Sequence, residues 1–116
     1  MPVIKGNGYG LGLGILAREA MRIGADTIAV GTVFEVDDVA ADTQGDIVVL
    51  EPFDPVDRAA AAEWARLEQQ LHAGRVIRTI ATFDSLRSLA QDLGSVRVIL
   101  EADTSMHRFG FRESEL

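Results

Sequence analysis

Cysteine is absent from the 116 residues. No disulfide framework and no thiolate–metal site is therefore available, and a reducing, cytoplasmic setting is expected. Basic residues never cluster: no three stand together, and the net charge is −7. Nucleic acid is excluded as a partner, because phosphate binding needs grouped Lys and Arg. No apolar stretch reaches the roughly 20 residues of a membrane-spanning helix, and no basic, apolar and small-residue succession marks a secretory leader. No membrane partner is expected. Histidine is limited to His72 and His107, too far apart in sequence to pair as ligands, so no metal site is expected. Proline numbers only three, and no Pro/Gly/Ser-rich linker or low-complexity tract divides the chain. One structural unit over residues 1–116 is the expectation. Its ends read as cuts: Val3 and Ile4 already resemble a strand interior, and residues 115–116 stop at a helix start.

The remaining composition is that of a packed domain, with 47 % hydrophobic and 25 % charged residues. β-Branched apolar runs occupy Pro2–Lys5, Thr27–Gly31, Asp46–Glu51, Val76–Ala81 and Val96–Ala102. They do not alternate with polar residues, which marks parallel strands covered on both faces. Helical stretches separate them. Ile15–Ile23 ends at Gly24, and Phe34–Asp42 is short and acidic. Asp54-Pro55 has the form of a helix start and leads into an alanine-rich stretch closed by Gly74. Leu86, Leu89, Ala90 and Leu93 make a core-facing stripe closed by Gly94. Trp64 is expected in the core or an interface, and Glu35, Asp37 and Asp38 on a solvated acidic face. The alternation predicts an α/β fold of about five parallel βα units, either a doubly wound sheet or part of a (β/α)₈ TIM barrel, which needs about 250 residues when complete. An unclosed barrel leaves its first and last strands as exposed edges.

The glycine-rich stretch GNGYGLGLG invites a nucleotide-binding reading, but its spacing fails. A G-x-G-x-x-G pattern begun at Gly6, Gly8 or Gly10 needs glycine where Leu11, Leu13 and Ile15 stand, and no Gly-Lys-Ser/Thr follows. What remains is a single lysine, Lys5, at the end of the first strand, on the rim where βα folds bind ligands. It suits a cation for an anionic ligand, an amine for a carbonyl cofactor, or a solvated strand end. Tyr9, the only tyrosine, offers a phenol to a phosphate. On the same rim, Glu101 and Arg108 flank a polar turn that Asp103 and Thr104 can tie down. No Ser/His/Asp nucleophile arrangement is legible.

Val3-Ile-Lys5-Gly-Asn-Gly-Tyr9-Gly resembles the lysine motif of the alanine racemase family, usually Val-Lys-Ala-Asn-Ala-Tyr-Gly. Asp103-Thr-Ser-Met106-His-Arg108-Phe-Gly110 resembles its Asp-Thr-Gly-Met-x-Arg-Leu-Gly motif, and Gly24–Asp26, Ala29-Val30 and Val33-Phe-Glu35 resemble its stretch around the second strand. The resemblance implies the partial barrel, and a pyridoxal 5′-phosphate enzyme that interconverts L- and D-alanine. It implies that Lys5 carries the cofactor as an internal aldimine and moves a proton on one face of the substrate, that Tyr9 helps hold the phosphate, and that Arg108 approaches the cofactor's phenolic oxygen. Glu101 stands where many members have a carbamylated lysine, which makes it the candidate brace for Arg108. Gly6 and Gly8 replace the usual alanines and are expected to loosen the loop.

The family's opposite-face tyrosine comes from the partner subunit of a homodimer, and further cofactor contacts come from later strands. None lies in this chain, so the 116 residues alone are expected to be inactive. The rivals are another fold-type III pyridoxal-phosphate enzyme, such as a D-amino-acid aldolase or a decarboxylase, and a non-catalytic remnant or phosphate-binding module.

Overall fold

A computed structural model describes residues 1–69, 73–91, 96–104 and 106–115. His72, Leu93, Gly94 and the chain's last residue fall outside the described residues, and with them the expected helix end at Gly94. The alanine-rich helix stops at Leu67, short of the expected Gly74, which lies in a 3₁₀ turn (Ala73–Arg75), and Glu115 closes another (Glu113–Glu115). Four strands, β1 (Thr27–Val30), β2 (Asp46–Pro52), β3 (Val76–Ile80) and β4 (Arg97–Leu100), form one sheet in sequence order. Every pairing is parallel. Helical segments precede β1 and separate the strands: α1 (Lys5–Tyr9), a left-handed turn, and α2 (Leu13–Arg22), then α3 (Val36–Ala40), α4 (Arg58–Leu67) and α5 (Phe83–Ala90).

The expected strand at Pro2–Lys5 is reduced to a single parallel bridge, Val3 to Ala29. Proline has no N–H to donate, and the chain turns into α1 at Lys5. Two backbone bonds still fix this segment against β1, Ile4 N–H to the Ala29 carbonyl and Ala29 N–H to the Pro2 carbonyl, both 2.8 Å. The helix expected from Asp54-Pro55 begins instead at Arg58. Asp57 is its cap, accepting from Ala59 and Ala60 N–H, while Asp54 closes a turn on Val56 N–H.

One sheet face carries the core. Ile28 and Val30 of β1, Ile47 and Val49 of β2 and Val76 of β3 pack under Leu13, Ala17, Ala20, Val36, Val39, Trp64 and Leu67. Each fully buried Ile or Leu contributes about 1.5–3 kcal/mol. A smaller cluster joins Ile80, Leu89 and Phe111. Arg78 is an unexpected member of the helix-facing side. It is 4 % exposed, with its guanidinium 4.5 Å from the Trp64 ring centre and 5.3 Å from that of Phe53, and it pairs with Glu68. The aromatic faces and the carboxylate offset the cost of burying its charge.

At the amino end of the sheet, Arg97 reaches over β3 to grip both oxygens of Asp46 at 2.5 and 2.7 Å. Hydrogen bonds from Arg97 hold the Asp46 carboxyl below the usual carboxylate range, against the opposing effect of desolvation. A depressed folded-state value means that this stabilisation is present above about pH 4, the ordinary Asp value, and is lost as pH falls through the folded value. Asp46→Asn is therefore expected to cost up to about 1 kcal/mol near neutrality, the scale of a partly exposed pair. That cost should shrink below about pH 4. Denaturant titrations of both proteins across this range measure it; a difference that stays constant into acid would refute the linkage.

β4 is exposed along its whole length. Val98 and Leu100 face the helix side at 41 % and 47 % exposure, and Ile99 faces the other side at 43 %. The expectation of an open edge thus extends to both faces of the last strand. No helix among the described residues is long and apolar enough to cross a membrane.

Candidate functional site

Lys5 leaves the edge of the sheet at its carboxyl end, anchored by Ile4, which is 3 % exposed. The next four residues all take left-handed backbone angles: φ is 64° at Gly6, 53° at Asn7, 62° at Gly8 and 54° at Tyr9. Gly8 N–H donates to the Ile4 carbonyl (2.9 Å) and Gly12 N–H to the Asn7 carbonyl (2.9 Å), which close the turn. The Asn7 side-chain oxygen accepts from Leu13 N–H (3.3 Å) at the start of α2. Each left-handed residue with a Cβ costs about 1–2 kcal/mol, and Asn tolerates the region better than most. Gly6 and Gly8 therefore lower the strain of an ordered turn, which corrects the expectation that they merely loosen a loop. Tyr9 carries its strain in full and holds its ring out, 65 % exposed.

Glu35, expected on a solvated face, is instead the hub of this rim. One carboxylate oxygen accepts from Gly6 N–H (2.7 Å) and Asn7 N–H (3.4 Å), and the other from Gly31 N–H (2.6 Å) and Thr32 N–H (3.2 Å). Glu35 also completes a capping box with Thr32 at the start of the 3₁₀ turn Val33–Glu35. The Thr32-x-x-Glu35 spacing was the available sequence signal; its second link, to the lysine turn, had none. Gly31 is required by close approach: a Cβ there would lie 3.0 Å from the Lys5 Cβ and 2.9 Å from Glu35 Oε2.

The second motif follows β4. Glu101 N–H donates to the Ile80 carbonyl at 2.9 Å. Ala102 forms a parallel bridge to Phe111, with Asp103 N–H to the Phe111 carbonyl and Phe111 N–H to the Glu101 carbonyl, each 2.8 Å. Phe111 is 3 % exposed and meets Phe83 edge to face at 4.9 Å, so the loop is pinned at its base. Within it, Asp103 Oδ1 lies 3.1 Å from His107 Nδ1. Arg108 is exposed. Glu101 Oε2 is buried without a hydrogen-bond partner, and among the described residues Glu101 and Arg108 form no hydrogen bond or ion pair.

The two motifs thus share the carboxyl-end rim but extend from opposite edges of the sheet, and no direct bond joins Lys5 or Tyr9 to Arg108 among the described residues. A cavity of about 510 Å³ opens at the ends of β2 and β3, lined by Phe53, Trp64, Thr82 and Phe109 among others; Lys5, Tyr9 and Arg108 do not line it. The described residues contain no cluster of His, Asp or Glu able to hold a metal ion.

Comparison with known proteins gives this rim its context. The family described as alanine racemase, N-terminal domain, matches residues 1–116. An alanine racemase of Halorhodospira halophila is 36 % identical over 117 residues, and one of Nitratidesulfovibrio vulgaris is 34 % identical over 120. Each match covers 100 % of this chain and 30 % of the relative. Among solved structures, the alanine racemase from Oenococcus oeni aligns over 97 % of this chain and 30 % of its own, with 26 % identity and a TM-score of 0.72. The biosynthetic alanine racemase from Pseudomonas aeruginosa aligns over 98 % and 30 %, also with 26 % identity and a TM-score of 0.72. The four-stranded parallel sheet and its helices correspond to the N-terminal barrel domain of these structures. With a family match along its whole length and an equivalent sheet, this chain belongs to the alanine racemase N-terminal domain family.

Proposed function

We propose that this chain is the lysine-bearing part of a pyridoxal 5′-phosphate-dependent racemase of a small amino acid, alanine foremost. The observation that carries the reading is Lys5: the chain's only lysine, exposed at the carboxyl-end rim, with its backbone turn ordered beside Gly31. The donor set suits the cofactor. A primary amine matches an aldehyde, a phenol (Tyr9) matches a phosphate, and a guanidinium (Arg108) matches a phenolate oxygen. When bound, the cofactor would supply an electron sink that acidifies the substrate Cα–H.

The chain's own residues then divide the protein's share. Lys5 Nζ would hold the cofactor, and as an amine it would be the group able to take or return a proton on one face of the substrate α-carbon. Tyr9 donates its hydroxyl to the phosphate, and the left-handed turn fixes it close to Lys5 in the chain. Arg108 presents a permanent positive charge to the cofactor's oxygen. Glu101, whose Oε2 is buried without a partner here, would turn that carboxylate to Arg108 as a brace once the cofactor is held. Residues 1–116 form one partial barrel unit that works in a cytoplasmic homodimer of the longer protein. The opposite-face base lies outside these residues, so the chain alone does not racemise.

The test is to add pyridoxal 5′-phosphate, fix the adduct with borohydride and locate it by mass; the label belongs on Lys5. A label only on the Met1 α-amine would reject the reading. The brace has its own test. Glu101→Gln in the longer protein should weaken cofactor retention about tenfold or more, since a charge-assisted contact is worth about 1.5–3 kcal/mol. Unchanged retention and turnover would remove Glu101 from the site.

A further inference from the structure

We propose that Glu35 is the positioning residue of Lys5. This rests on the role given to Lys5 above. Four backbone N–H groups converge on the one carboxylate, two from the turn that follows Lys5 and two from the turn that ends β1. The two turns are far apart in sequence, and no other side chain among the described residues bonds to both. Glu35 therefore sets the distance between the lysine turn and β1. Gly31, without a side chain, lets the Lys5 Cβ close onto the same point. The lysine needs this help because its turn runs in the disfavoured left-handed region from Gly6 through Tyr9. Released from Glu35, Gly6 and its neighbours have other conformations open to them, and the direction of the lysine side chain is no longer set.

A glutamate at this place could serve only its local capping box, and Glu35→Gln separates the two roles. Glutamine satisfies a capping box as glutamate does. With its one carbonyl oxygen on Gly31 and Thr32 N–H, its NH₂ group faces the Gly6 and Asn7 N–H groups, donor against donor. The cap survives and the link to the lysine turn is lost.

The experiment uses the full chain with two readouts. Amide hydrogen exchange should show protection of Gly6 falling at least tenfold in Glu35→Gln, with Gly31 and the β2 amides of Val48 and Val49 unchanged. Borohydride-fixed labelling of Lys5 by pyridoxal 5′-phosphate should need at least tenfold more reagent for half saturation. Thr32→Ala, which weakens the capping box but keeps the carboxylate, should match the parent in both. Parent-like protection and labelling in Glu35→Gln would overturn the proposal, and so would the same losses in Thr32→Ala. If Glu35→Gln also loses protection in β2, Glu35→Asp, one methylene shorter, decides by the same readouts. A parent chain that never labels at Lys5 would reject the cofactor role of Lys5, while the exchange readout still decides whether Glu35 holds its turn.

Discussion

Lys5→Ala is expected to abolish covalent capture of pyridoxal 5′-phosphate at the rim. The chain has one lysine, so no second ε-amine can substitute, and its ten arginines stay protonated and form no such adduct. The only other primary amine is the α-amino group of Met1, on the amino-terminal side of the segment that pairs with β1. The visible absorption band that appears with the parent chain should be missing, and borohydride should fix no label at position 5. Lys5→Arg sharpens the result. It keeps the positive charge that an anionic ligand would need but removes the nucleophilic amine. If Lys5 serves only as a cation, Lys5→Arg should bind the cofactor as the parent does. If Lys5 is the anchoring amine, Lys5→Arg should be as silent as Lys5→Ala. A band that survives in both variants would end the proposal that this lysine holds the cofactor.

Gly110→Ala carries the largest expected structural effect. A Cβ at Gly110 would lie 2.6 Å from the carbonyl carbon of Ala102, the amide nitrogen of Asp103 and the carbonyl oxygen of Glu101, all backbone atoms that cannot rotate away. Its φ of 117° is also closed to residues with a side chain. The loop would have to leave the end of β4, breaking the bonds of Asp103 and Phe111 and drawing Phe111 out from beside Ile80 and Leu89. The cost should be about 3 kcal/mol or more, the sum of strain, two lost hydrogen bonds and a vacated core position. Chemical denaturation measures it. A variant within about 0.5 kcal/mol of the parent, the range of an ordinary surface change, would show that this loop is not pinned as described.

The strand order and the helix-facing core were legible because continuous β-branched runs and glycine stops have few other physical solutions. Where residues serve a distant partner, legibility ended. Glu35 looked like one acid among several, because nothing in a linear pattern tells that Gly6 N–H and Gly31 N–H will meet at one point. Arg78 sat in an apolar run, and only the packed sheet shows Trp64 and Phe53 closing over it. Pro55 favoured Asp54 as the helix cap; the chain instead uses Asp54 for a turn and lets Asp57 receive the helix. The rim positions of Lys5 and Arg108 followed from strand ends alone. The left-handed path of the lysine turn did not, since glycine allows either hand.

The sheet's two margins are unequal. On one side Pro2–Ile4 lies against β1, a three-residue strip whose proline has no N–H to offer. On the other, β4 is the last strand of the sheet and pairs on one side only among the described residues, flanked by Val98, Ile99 and Leu100. Such a margin is a template for another strand. Because among the described residues only one side of the sheet is open in this way, edge-to-edge growth has a single starting place. A two-fold pairing of β4 with β4 uses it up and stops at two copies, where a sheet open on both sides would continue into a fibre.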